Sequence, residues 1–97
     1  MNDRKRNWPF ADPKNVAVFT TEQIISRSRP ILRVSHDEED GAWQFHDGDD
    51  VRESDARIVS LECITQLDDG VMELADLPLG WIATRSDPKT PWKRREG

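Results

Sequence analysis

The stretch that decides the fold is Val34-Ser35-His36-Asp37-Glu38-Glu39-Asp40-Gly41-Ala42-Trp43-Gln44-Phe45-His46-Asp47-Gly48. On either side of its acidic centre, large apolar residues recur every second position, the period of a half-buried strand. The spacing predicts a β-hairpin whose register can be argued. With Glu38-Glu39-Asp40-Gly41 as the loop, Asp37 faces Ala42, His36 faces Trp43, Val34 faces Phe45 and Leu32 faces Asp47. Leu32, Val34, Trp43 and Phe45 then share one face. A five-residue loop would pair His36 with Ala42 and split these apolar residues between both faces, so the four-residue loop is the one that builds a core. Arg33 then lies opposite His46 on the outer face, with Ser35 opposite Gln44.

Upstream of the hairpin, Pro9 and Pro13 make residues 1–14 an irregular arm, which Trp8 and Phe10 either pin to the body or leave loosely packed. Asn15 to Phe19 is a β-type run. A helix starts at Thr20-Thr21-Glu22-Gln23, with Thr20 and Gln23 spaced as a capping box. Ile24 and Ile25 give it a buried side, Arg27 and Arg29 suit its C-terminal end, and Pro30 stops it. Downstream, Asp47-Gly48-Asp49-Asp50 is a turn and Val51 to Asp55 is polar. Arg57 to Leu61 reads as a strand, and Leu61 to Leu67 as a helix capped by Ser60. Asp68 or Asp69 caps a second short helix, Val71 to Leu77. Pro78-Leu79-Gly80 forces a turn before a last strand, Trp81 to Arg85.

The expected fold is a small α+β domain over residues 15–86, with a basic C-terminal tail at 87–97. A mostly antiparallel sheet of about four strands carries two or three short helices on one face. The expected core is Val18, Ile24, Leu32, Val34, Trp43, Phe45, Ile58, Val59, Ile64, Leu67, Leu74 and Trp81.

At 97 residues, with 35% hydrophobic and 34% charged, there is room for one domain and one modest core. The one cysteine, Cys63, excludes an internal disulfide and a multi-cysteine zinc site, and fits a reducing, cytoplasmic setting. No apolar segment follows Met1 to Asn7 as a signal peptide would need, and no apolar run approaches the ~20 residues of a membrane span. Net charge is −5, distributed as +2 over residues 1–14, −10 over 15–84 and +3 over 85–97. An acidic body repels nucleic acid and anionic membrane and favours a basic partner.

Each chemically suggestive group has a plainer reading. Asp37 to Asp40 and Asp47, Asp49 and Asp50 invite a calcium site, but a loop begun at Asp47 puts Arg52 where an EF-hand has glycine and Ile58 where it has glutamate. His36 and His46 fall on opposite hairpin faces and do not share a site. His36 reads as a structural histidine beside Trp43, and His46 as a surface hydrogen-bonding group. Cys63, in the first turn of a helix, reads as a small hydrophobe beside Glu62, whose charge opposes a thiolate. The glycines are isolated, so no phosphate loop is present. The expectation is therefore no catalytic residue, no metal and no cofactor.

Asp40-Gly41-Ala42-Trp43-Gln44-Phe45-His46-Asp47-Gly48-Asp49 resembles the Asp-Ser-Gly-Trp-x-Phe-x-x-Gly-(Asp/Glu) signature of a bacterial family named domain of unknown function 2185. Asp40, Trp43, Phe45, Gly48 and Asp49 align, while Gly41-Ala42 stands where the signature has Ser-Gly. Ile58-Val59-Ser60-Leu61 through Leu77-Pro78-Leu79-Gly80 is similar to the family's second half, so the resemblance spans about residues 30–85. Some members are classed as immunity proteins of polymorphic toxin systems. The resemblance implies no enzyme activity and no catalytic residue.

Together these readings point to a non-enzymatic binding protein. Its candidate partner-binding face is Asp37, Glu38, Glu39, Asp40, Asp47, Asp49 and Asp50, and its partner is a basic protein, such as a toxin. The alternative is a structural homodimer formed through an edge strand or an exposed tryptophan. A metal-dependent hydrolase is the least supported reading.

Overall fold

The structure, a computed structural model, describes residues 8–97. In chain order the elements are β1 (Ala17–Thr21), α1 (Glu22–Ile25), β2 (Arg33–His36), β3 (Trp43–His46), β4 (Ala56–Ser60), α2 (Leu61–Leu67), β5 (Trp81–Thr84) and β6 (Lys93–Glu96). Short 3₁₀ turns at Glu53–Asp55 and Asp69–Leu74 complete the chain.

The hairpin forms in the expected register, Arg33 with His46, Val34 with Phe45, Ser35 with Gln44 and His36 with Trp43. Its four-residue loop closes through Asp37 N–H to Ala42 O at 2.8 Å and Gly41 N–H to Asp37 O at 2.9 Å. Gly41 has φ 74°, a left-handed conformation that glycine adopts without strain.

The expected fold class, α+β, describes the molecule, but the expected sheet is corrected in two respects. It has six strands rather than four, in the order β4-β1-β3-β2-β5-β6, and it is mixed, because β1 runs parallel to β3. The sixth strand comes from the segment read as a basic tail. Lys93-Arg94-Arg95-Glu96 has no apolar alternation, so its strand state is set by the ladder with Trp81–Thr84 and by neighbouring anchors. Trp92 donates from Nε1 to Gly70 O at 3.2 Å, and Arg94 reaches Glu73 O and Asp76.

One face of the sheet carries the core. Val18, Val34, Phe45, Leu61, Ile64, Val71 and Ala83 are fully buried. Phe10 joins them, meeting the Trp43 ring edge-on at 5.3 Å, so the part of the arm from Trp8 onward is pinned, while residues 1–7 of that arm lie outside the described residues. Ile31 and Leu77 also enter the core, although the expected core did not include them. Of the expected core, Leu32, Val59, Leu67 and Trp81 are half-buried. Ile58 is overturned, at 64% exposed, because Val59 takes the inward position and period-two geometry turns its neighbour outward.

Helix ends follow local chemistry. The Ser60 hydroxyl accepts from Cys63 N–H at 3.1 Å and caps α2 as expected. The expected capping box on α1 does not form. Thr20 Oγ1 donates to Phe45 O, Gln23 bonds Asp55, and the N-cap is Thr21, with no side-chain cap bond. Asp68 caps the second helical segment, accepting from Gly70 N–H, but that segment is a 3₁₀ turn three residues shorter at its C-terminal end than Val71 to Leu77 suggested.

Candidate functional site

The seven candidate carboxylates do not form one face. Strand geometry separates them by roughly 15 Å, with Asp37 to Asp40 at the hairpin tip and Asp47, Asp49 and Asp50 beyond the far end of β3.

Two of the far group, Asp47 and Asp49, share one arginine, while among the described residues no salt bridge reaches Asp50. Arg29 contacts Asp49 at 2.7 Å and Asp47 at 3.7 Å. The hydrogen bond to Asp49 and the charges of both carboxylates hold the Arg29 guanidinium above its ordinary pKa. Asp47 Oδ1 also accepts from Asp49 N–H at 2.9 Å and tightens the turn at Gly48, whose φ is 92°.

The tip group differs. Among the described residues, no salt bridge reaches Asp37, Glu38, Glu39 or Asp40. Asp40 Oδ1 accepts from Ala42 N–H at 2.9 Å, which fixes its carboxylate against the loop backbone. Glu38 lies against Gly80, whose N–H donates to His36 O, so the 78–80 turn buttresses the tip. A groove of about 450 Å³ adjoins the tip, lined by Glu38, Glu39, Gln44, Trp81 and Ile82 and, as its one cation, by Arg33. The tip therefore presents unpaired negative charge on a hydrogen-bonded scaffold.

The histidines sit on opposite faces of the hairpin, as the register required. His36 stacks on Trp43 at 3.9 Å and 12°, and its Nδ1–H donates to Leu77 O at 2.7 Å. His46 departs from its expected surface role, being only 7% exposed on the outer face. Registers across the sheet place it between Thr21 of β1 and Arg33 of β2. Its Nε2–H donates to Gln44 Oε1 at 3.0 Å, and Gln44 Nε2–H donates to Asp37 Oδ2 at 2.7 Å. Its Nδ1 is buried without a protein partner among the described residues. Burial first, and the Arg33 charge second, hold the imidazole below its ordinary pKa. This relay, from His46 through Gln44 to Asp37, went unread because period-two patterning places residues on faces and does not show which faces are closed by neighbours.

Cys63 is half-buried in the first turn of α2. Among the described residues, no three His, Cys, Asp or Glu side chains come together as a metal-holding group. A polar groove of about 630 Å³ beside α2, reaching Trp8, Glu62 and Met72, contains neither histidine. No described helix is long and apolar enough to cross a membrane. No protein-family model, no curated protein and no solved structure matches the chain.

Proposed function

We propose that the chain is a non-enzymatic protein-binding module, acting in the cytoplasm, whose acidic hairpin tip docks a basic protein. The observation that carries this reading is the contrast between the two acidic groups. Asp47 and Asp49 are answered by Arg29, whereas Asp37, Glu38, Glu39 and Asp40 form no salt bridge with any described residue, Arg33 sharing their groove without pairing to them. Four like charges held together cost self-repulsion that a basic partner relieves, and they steer its approach. The adjoining groove can take an arginine or lysine side chain against Glu38 and Glu39. The resemblance at Asp40, Trp43, Phe45, Gly48 and Asp49 supports a toxin as that partner, in which case the tip imitates the charge of a nuclease's substrate.

Binding to a panel of purified basic nuclease domains tests this. One member should bind saturably and weaken at least about tenfold between about 50 and 500 mM salt. Replacing Asp37, Glu38, Glu39 and Asp40 together by Asn or Gln should weaken the same member by a similar factor. A bound partner indifferent to both changes overturns the role of the tip.

A further inference from the structure

The outer edge of β4 carries a self-complementary set of hydrogen-bonding groups. Leu61 N–H donates to Val16 O at 2.9 Å, on the register that pairs Ala17 with Ser60 and Val18 with Val59. Bonded pairs alternate along an antiparallel ladder, so Val59 and Arg57 turn their backbone groups toward β1, and Ala56, Ile58 and Ser60 turn theirs outward. β4 ends the sheet, so no described strand meets them. Some are already used. Ala56 N–H bonds Glu53 O, and Ser60 C=O belongs to the first turn of α2. Left over are the Ile58 N–H and C=O, the Ser60 N–H, and the Ala56 C=O, whose contact is the exposed side chain of Arg57.

We propose that two copies of the chain pair through β4, antiparallel about a twofold axis at Ile58, joining their sheets into one. In that register Ile58 of each copy exchanges both bonds with Ile58 of the other, and each Ser60 N–H donates to Ala56 C=O of the other. Four bonds form, and every leftover group is used. Arg57 stands opposite Val59 and Ala56 opposite Ser60, so no like charges oppose directly. The other edge lacks this property: Gly97 N–H donates to Gly80 O, so Arg94 and Glu96 turn their backbone groups outward, and self-pairing sets either Arg94 against Arg94 and Lys93 against Arg95, or Arg95 against Arg95. Side chains agree with the backbone. Ile58 and Phe19 are neighbours on the outer face, 64% and 41% exposed, and the twofold axis extends them into one apolar stripe across the seam. This pairing does not rest on the hairpin tip, since β1 lies between β4 and β3.

Sedimentation of the full chain from about 5 µM to 1 mM tests the pairing. The weight-average mass should rise reversibly from one chain toward two. Ile58→Lys should weaken dimerisation at least about tenfold while leaving the circular dichroism spectrum unchanged, since the side chain is already exposed. Should Ile58→Lys not fold, Ile58→Thr keeps a β-branched residue and serves instead. Arg95→Glu, on the other edge, should leave the dimer intact. In amide exchange, Ile58 and Ser60 should gain protection with concentration. A chain monomeric at 1 mM, a dimer unaffected by either Ile58 variant, or unchanged exchange at Ile58 and Ser60 overturns the proposal.

Discussion

His46 shows how much a single side chain can depend on residues remote in sequence. Flanked by Thr21 and Arg33, it is buried and held neutral, with its pKa below the ordinary value. The unfolded chain therefore takes up the proton more readily than the folded one. The contribution of His46 to stability is complete above the unfolded value of about 6.5 and is lost as pH falls through it toward the lower folded value. The urea midpoint should thus drop between about pH 7.5 and pH 5.5, above the range where carboxylates titrate. His46→Gln should flatten that slope. An equal slope in the variant would assign the pH dependence elsewhere.

At the scale of the element, local chemistry decides where segments begin, and tertiary neighbours decide which way they face. Ser60 caps α2 through Cys63 N–H, so Ser60→Ala should cost about 1 kcal/mol and Ser60→Asp should restore most of it, read from urea unfolding at low protein concentration. The cap, the hairpin register and its loop were legible in the sequence because each follows from contacts within a few residues or from one strict alternation. β6 was not, because Lys93 to Glu96 owes its extended form to β5 and to anchors at Gly70, Glu73 and Asp76. The phase of β4 was not legible for a related reason. Ile58 and Val59 are equally apolar and both were expected in the core, and only pairing with β1 chooses which of them faces it. The acidic residues illustrate the same limit, since Asp40 and Asp47 are close in sequence yet a rigid strand stands between their groups.

Across the whole molecule, Arg85 holds distant parts together. Its side chain is 4% exposed and donates to Ile31 O, to Pro88 O and to the Asp68 carboxylate, while its guanidinium lies 4.2 Å over the Trp92 ring. The segment before β2, the junction after α2 and the C-terminal segment thus meet at one cation. Arg85→Met should lower stability by about 3 kcal/mol, because it strands Asp68 and two carbonyls, with the midpoint moving and the urea dependence unchanged. A loss under about 1 kcal/mol would show that the clamp is dispensable. The position of β1 has a different consequence, one of timing. It lies inside the sheet, yet both its neighbours, β3 and β4, come later in the chain. During synthesis Val18, Phe19 and Ile24 are complete about 40 residues before Ser60, a wait of about 2–8 s at ordinary elongation rates. Until β3 is complete at His46 this interior strand has no sheet to enter, and until Ser60 it has a neighbour on one side only, so it is the segment a nascent-chain chaperone would meet first.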